Sequence, residues 1–424
     1  MSLQEYLLTN IIIGLDIGTS FVRAVIGGIN EDDSVEILGV AKRSSLGFLN
    51  NGVILNIEST KNVVEEVIDA AEQIAGWQGT SCVTGLGGKY IESFKSHGFV
   101  KITDNGKKDR SITKADIDRV LESANSLPVS LDREIVHLIP QEFIVDGTEG
   151  YKMDEAINCQ AVRLEANVFI IKASKTQIQN INDCIERSGY IVDGVFLKTL
   201  ACSKAVMHQE EKDLGSILID LGGGSTDIIV IVKDAPICTA SIPIGGNIVT
   251  SDIAVVKGIP AETAEKLKIE HGCCWSDLVA ADEEVLIPAI GGRDPELTTR
   301  AELCDIIQSR MEEIFRMVLD EISRQSGSMK LDGNIVLTGG GALMKGVVEL
   351  AEYVFGTSSV RIGEPGNLGE PQDSYKSPEY ATAVGLIIAA KENLQSIRKT
   401  KKNKGSDKKA GEESRFVKIL KSLF

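Results

Sequence analysis

The sequence predicts a duplicated, two-lobed α/β fold with a small inserted domain and a C-terminal amphipathic helix. Three observations carry this prediction. Two strand–turn–strand units of the same plan, residues 11–27 and 216–232, stand about 200 residues apart. A charged, turn-rich stretch at residues 87–165 interrupts the helical patterning between them. The chain closes on residues 412–424, where apolar and cationic side chains fall on opposite sides of a helix.

At 424 residues, with 43% hydrophobic and 25% charged side chains, the chain is long enough for more than one core. Disorder is excluded for most of it. The formal net charge is -16, yet from Lys391 onward eleven Lys or Arg face four Asp or Glu, so an acidic body carries a basic tail. The body argues against a nucleic-acid partner, and the tail points to an anionic surface. The eight cysteines have no C-x-x-C spacing and read as buried reduced thiols. Cys273 and Cys274 sit beside His271, but no second pair completes a metal site. The first ten residues lack a basic n-region and a cleavage site, and no apolar run reaches the roughly 20 residues that span a bilayer. A cytoplasmic protein is expected.

In the first unit an apolar strand enters a turn holding Asp16, Gly18, Thr19 and Ser20, and a second strand leaves it. In the second, Leu218 and Ile219 enter a turn of Asp220, Gly222, Gly223, Gly224, Ser225 and Thr226. Helical spacing places Val63, Val64, Val67, Ala71 and Ile74 on one face of residues 60–75, and Ile178, Ile181 and Ile185 on one face of residues 175–188. The intervening stretch predicts a helix over 113–124 and strands over 134–139 and 161–164. Downstream, residues 247–257 and 260–270 read as helices, and 300–324 as a long amphipathic one. A strand over 334–337 ends in Gly339, Gly340, Gly341 and Ala342. A helix over 377–394, with Pro378 at its start, closes the globular part, and residues 396–411 read as a solvated linker.

Turns of Gly, Ser and Thr let backbone N–H groups approach phosphate oxygens, because small side chains leave the path open. Each turn is led by an acid, Asp16 or Asp220, able to hold a hydrated magnesium ion against a polyphosphate. Gly339 to Ala342 read as a helix N-terminus that packs against an adenosine. One glycine turn would be weak evidence. Three in order, two with Asp at the same place, are not. G-x-x-x-x-G-K-[ST] is absent, and the first glycine turn leads into a strand, so neither a P-loop nor a Rossmann fingerprint applies.

This set resembles the two phosphate motifs and the adenosine motif of the actin, Hsp70 and sugar-kinase superfamily. The run Pro243 to Ala254, the run Ala264 to Gly272, Gly52 to Glu58 and Arg300 to Arg310 resemble the FtsA family in particular. The resemblance implies an actin-like two-lobed ATPase fold of duplicated RNase H-like domains. The implied parts are a lobe I core over 11–86, 166–210 and 381–396 and an inserted domain over 87–165. A lobe II core follows over 211–245 and 331–380, with its outer domain over 246–330. A flexible linker over 397–411 and a membrane-targeting helix over 412–424 complete it. The resemblance also implies ATP and magnesium as cofactors, with Glu265 and Lys268 facing the ribose. Many FtsA sequences carry Glu-Pro where this chain has Lys198 and Thr199. An acid that orients attacking water is thus missing, no catalytic residue is assigned, and hydrolysis is expected to be slow at most.

In the tail, Phe416, Val417, Ile419, Leu420, Leu423 and Phe424 share one arc, opposite Arg415, Lys418 and Lys421. That pattern fits a helix lying in the headgroup region of an anionic leaflet. The resemblance then implies filaments of this chain on the cytoplasmic face of the inner membrane at the division site. They would hold the FtsZ ring there and recruit later division proteins. FtsZ's acidic C-terminal peptide would meet Arg293, Arg300 and Arg310. A pilus-assembly ATPase resembling PilM and a sugar or acid kinase are the alternatives, and neither accounts for both the 243–254 run and the tail.

Overall fold

Alternating apolar strands build the first of two five-stranded sheets in this computed structural model. It describes residues 8–104, 107–108, 110–126, 130–288, 294–326, 333–366, 368–369 and 373–403. Strands β1 (Leu8–Ile17), β2 (Phe21–Asn30) and β3 (Val35–Ser44) form an antiparallel meander. After helix α1 (Ile57–Ala75), β4 (Ser81–Leu86) adds parallel to β1. The inserted stretch follows as β5 (Ile91–Lys101), α2 (Lys114–Ala124), β6 (Arg133–Val145), β7 (Thr148–Tyr151) and β8 (Arg163–Ser174). Then α3 (Lys175–Arg187), β9 (Ile191–Leu197), parallel to β4, and α4 (Lys198–Val206) complete the first half, in the order β9-β4-β1-β2-β3.

A short helix α5 (Gln209–Leu214) leads into the second half. Strands β10 (Ser216–Leu221), β11 (Thr226–Val232) and β12 (Ala235–Ile242) repeat the meander. Helices α6 (Gly246–Lys257) and α7 (Ala261–His271), the hairpin β13 (Glu284–Ile287) and β14 (Glu296–Thr299), and the long helix α8 (Arg300–Ser326) form the outer part. Then β15 (Ile335–Thr338), α9 (Val347–Phe355), β16 (Val360–Ile362) and α10 (Ala381–Asn403) follow. Strand order β12-β11-β10-β15-β16 repeats that of the first sheet, with the same two antiparallel and two parallel neighbours.

Both sheets are covered on both faces, so their inner strands are mostly apolar. Ile13, Leu15 and Ile17 of β1 face α1 and α3, while Ile12 and Val25 face the far side. The covering helices there are exchanged between halves. Helix α4, which leaves the first sheet, packs Cys202 and Val206 on Leu218, Ile229 and Val336 of the second. Helix α10, which leaves the second, packs Ala383 and Ile387 on the first. The inserted sheet, ordered β7-β6-β8-β5, carries α2 on one face over Leu138, Leu164 and Val168. Its strand β6 meets both lobes: the Leu197 N–H donates to His137 Nε2 at 2.9 Å, and Gln141 Nε2 donates to the Pro236 carbonyl at 2.8 Å.

Some expectations change. Ile74 is 48% exposed and Ile68 is buried, because the last turn of α1 meets β3 at Gly39 through Ala71 and Ala75 and leaves Ile74 to the side. Strands of the insert are longer than their most apolar runs, since cross-strand pairing carries β8 to Ser174. Helix α10 runs on to Asn403, into the stretch read as linker, because extending an existing helix through Lys and Arg costs little. Cys159 is half-buried and the other seven cysteines are buried. Among the described residues no helix is long and apolar enough to cross a membrane. Residues Arg415 to Phe424 of the expected membrane helix, and Arg293, lie outside the described residues.

Candidate functional site

Where β1 turns into β2 and β10 turns into β11, the backbone does the same thing twice. Gly18 N–H donates to the Phe21 carbonyl at 3.0 Å, and Gly222 N–H donates to the Ser225 carbonyl at 3.0 Å. Each bond closes a turn two residues after the leading acid. The paired registers set Asp16 opposite Arg23 and Asp220 opposite Asp227. The two turns touch: a Cβ on Gly223 would lie 2.0 Å from Ser20 Oγ, and one on Gly224 would lie 2.7 Å from Thr19 Oγ1. Glycine is needed there because any side chain would hold the lobes apart. Ser20 Oγ also donates to Asn247 Oδ1 at 3.0 Å, tying the first turn to α6.

Between the lobes lies a cavity of about 530 Å³, within the range of small-molecule and cofactor sites. All the residues expected at a nucleotide line it except Thr226 and Ala342. Those two are fully buried, and Thr226 Oγ1 donates to the Ile244 carbonyl at 2.8 Å, bracing the turn from behind. Lys268 Nζ lies 2.6 Å from Glu265 and donates to Thr250 Oγ1 at 2.8 Å and to the Gly246 carbonyl at 3.1 Å. Leu343 and Ile269, 58% and 71% exposed, offer apolar surface at the same end, suited to a planar base.

The third glycine element departs from the expected helix N-terminus. Gly340–Leu343 form one 3-10 turn, and α9 begins only at Val347. Gly339 (φ +82°) and Gly346 (φ +82°) both sit in the left-handed region, which interrupts a regular helix. Bare backbone still faces the cavity, now from a turn.

Three aspartates, Asp16, Asp220 and Asp227, line this cavity with Lys198. Burial, followed by the charges of Asp227 and Asp16, pushes the Asp220 carboxyl up to about 7. Burial raises Asp227 as well, against the hydrogen bond that Ser225 Oγ donates to it at 2.9 Å. Asp16 Oδ1 is buried and accepts no hydrogen bond; Lys198 Nζ lies 2.7 Å from it, a contact of charge and not of hydrogen-bond geometry. Two acids on facing turns, one with an orphaned oxygen and one resisting ionisation, fit a hydrated divalent cation. Arg23 and Lys42 converge on Glu379 at 2.9 Å each, at the mouth of the first turn.

Arg300 also lines the cavity, and both it and Arg310 already hold carboxylate partners. Arg300 pairs with Glu283 at 3.0 Å and donates to the His271 carbonyl at 2.9 Å, and Arg310 pairs with Asp252 at 2.5 Å and with Glu313. Sequence reasoning missed Asp227, Arg23 and Asn247. Asp227 and Arg23 each stand seven residues after the leading acid of their turn, a matched offset that marks both as opposite it in the hairpin.

The family model described as "Cell division protein FtsA" matches residues 217–385, and that described as "SHS2 domain inserted in FTSA" matches residues 88–172. The chain is 39% identical over 418 residues to the cell division protein FtsA of Borreliella burgdorferi, covering 98% of this chain and 99% of that one. It is 38% identical over 377 residues to that of Pseudomonas aeruginosa, covering 89% and 88%. Among solved structures, a PilM-PilN type IV pilus biogenesis complex superposes with TM-score 0.64 at 16% identity, covering 89% of this chain and 97% of that one. MreB 5 of Spiroplasma citri bound to AMPPNP superposes with TM-score 0.54 at 14% identity, covering 92% and 99%. These two likenesses establish the actin-like fold and nothing about function. The sequence relatives go further, being this similar over nearly the whole of both chains: the chain belongs to the FtsA family of cell division proteins.

Proposed function

We propose that this member of the family binds ATP with magnesium between its lobes, polymerises, and holds the FtsZ ring to the cytoplasmic face of the inner membrane at the division site. The observation that carries the reading is the pair of Asp-led glycine turns meeting across one cavity. Support comes also from MreB 5, which has AMPPNP bound on the same fold. Backbone N–H groups of Thr19, Ser20 and Gly223 to Ser225 take the phosphates, in turns closed by Gly18 and Gly222, and Glu265, Lys268 and Gly339 to Gly341 take the adenosine. Magnesium, when bound, neutralises the polyphosphate, and Asp16 and Asp220 hold its water shell. Lys198 and Thr199 supply no carboxylate, so the site holds nucleotide with slow hydrolysis at most.

The parts follow the sequence: lobe I core over 11–86, 166–210 and 381–396, insert over 87–165, lobe II core over 211–245 and 331–380, and outer domain over 246–330. The outer domain receives FtsZ's acidic C-terminal peptide, Arg300 and Arg310 exchanging their carboxylate partners for it, with Arg293 nearby in sequence. The insert recruits later division proteins. Residues 412–424 lie in the leaflet, and a filament multiplies these weak anchors. Sedimentation with anionic liposomes tests the whole: ATP is expected to increase the pelleted fraction, and Asp220→Ala to remove that increase. Protein left in the supernatant with and without ATP would refute the reading.

A further inference from the structure

Lys198 opens α4 directly beneath the first turn, and its surroundings are shaped to hold it. Its side chain is 14% exposed. The stem lies along the end of β4: a Cβ on Gly85 would come within 2.7 Å of Lys198 Cγ, and one on Gly87 within 3.3 Å of Cδ. Two glycines at alternate positions thus leave a groove for the lysine. The ammonium donates to the Ile17 carbonyl at 2.7 Å and stands 2.7 Å from Asp16 Oδ1. An ammonium has three N–H groups. Among the described residues the Ile17 carbonyl is its only hydrogen-bond acceptor, so donors remain for a ligand in the cavity that Lys198 lines.

We propose that Lys198 is a fixed cation that binds the terminal phosphate of the nucleotide and so makes the site prefer a triphosphate to a diphosphate. The inference rests on the nucleotide reading above and names a specificity residue within it. The apolar surfaces of Ile269 and Leu343, with Glu265 and Lys268, place the nucleoside on the lobe II side of the cavity. The two glycine turns take the middle of the phosphate chain. Lys198 comes from lobe I, seated on β4 and under β1, so a chain of phosphates passing between the turns ends at it. A diphosphate stops short of the ammonium. A triphosphate brings it a terminal oxygen in exchange for the poorly angled contact with Asp16, and the freed carboxylate then serves the metal's water shell.

The test measures affinities of the full-length protein for mant-ATP and mant-ADP with magnesium, for wild type, Lys198→Met and Gly85→Ala. Lys198→Met removes the charge. Gly85→Ala keeps every charge but displaces the lysine stem. Both are expected to weaken mant-ATP by about tenfold or more, the weight of a charge-assisted hydrogen bond, while mant-ADP changes by less than about threefold. The ratio of the two affinities is insensitive to the fraction of protein that folds, so partial misfolding does not mimic the result. An equal loss for both nucleotides, or no loss, would overturn the assignment and leave Lys198 a structural partner of Asp16. A wild type that binds neither nucleotide would instead refute the nucleotide reading, and this inference with it.

Discussion

Glu211 shows how one buried carboxylate joins parts of the chain that are distant in sequence. It caps α5 by accepting from His208 N–H at 2.8 Å, accepts from Asn334 Nδ2 at 2.8 Å, and receives Arg361 Nε and Nη2 at 2.6 Å each. Burial alone would raise its carboxyl, but the bonds from Arg361, Asn334 and His208 outweigh that and hold it at about 2, below the ordinary 4.5. A carboxyl depressed in the folded state binds fewer protons there than in the unfolded chain between those values. Its contribution is therefore complete above pH 4.5 and lost as pH falls toward 2. Glu211→Gln is expected to cost about 2 kcal/mol at neutral pH, read by denaturant unfolding, and to flatten the acid limb of the stability curve. An unchanged acid limb would mean that other carboxylates set it.

At the scale of elements, the proposed function rests on two contacts, one expected of residues 412–424 and one of α8. Leu420→Glu deletes apolar area from the middle of the tail's arc and sets a negative charge against an anionic surface. It is expected to release the protein from liposomes and leave nucleotide affinity unchanged, since a stretch of polar residues separates tail from body. If the folded variant still sediments with vesicles, the anchor lies elsewhere. Helix α8 begins at Arg300, whose guanidinium is held by Glu283 and the His271 carbonyl. Arg300→Glu is expected to weaken binding of an acidic FtsZ tail peptide and to reduce its salt dependence, measured by fluorescence anisotropy across ionic strength. Binding with an undiminished salt slope would place the peptide on another surface.

For the whole molecule, the decisive contact is the crossing of α4 and α10. Each helix is covalently part of one half and packed on the other, so the halves cannot come apart without baring both sheets. Gly385 lies at the crossing: a Cβ there would fall 2.0 Å from the Ala201 carbonyl oxygen. Backbone cannot yield as a side chain can, so Gly385→Val is expected to cost about 3 kcal/mol or more. Differential scanning calorimetry should find both lobes melting together at a lower temperature. Two separate transitions would mean that the lobes fold independently of the crossing.

What could be read from the residues alone was whatever depends on neighbours along the chain. The two Asp-led turns, the helix periods, the repeat and the two-faced tail follow from spacing and local chemistry, because turn geometry and helix faces are set within a few residues. The 3-10 turn after Gly339 was misread at that same scale, since two left-handed glycines weigh more than the general tendency of such runs to open a helix. Only the tertiary structure decided the rest. It pairs Lys198 with Asp16, brings Ser20 against Gly223, gives Arg310 to Asp252 and exchanges the covering helices between the halves. Each joins positions far apart in sequence, and such approaches are chosen by the burial of whole faces. No local pattern records which distant charge will lie within 3 Å of another once those faces have closed.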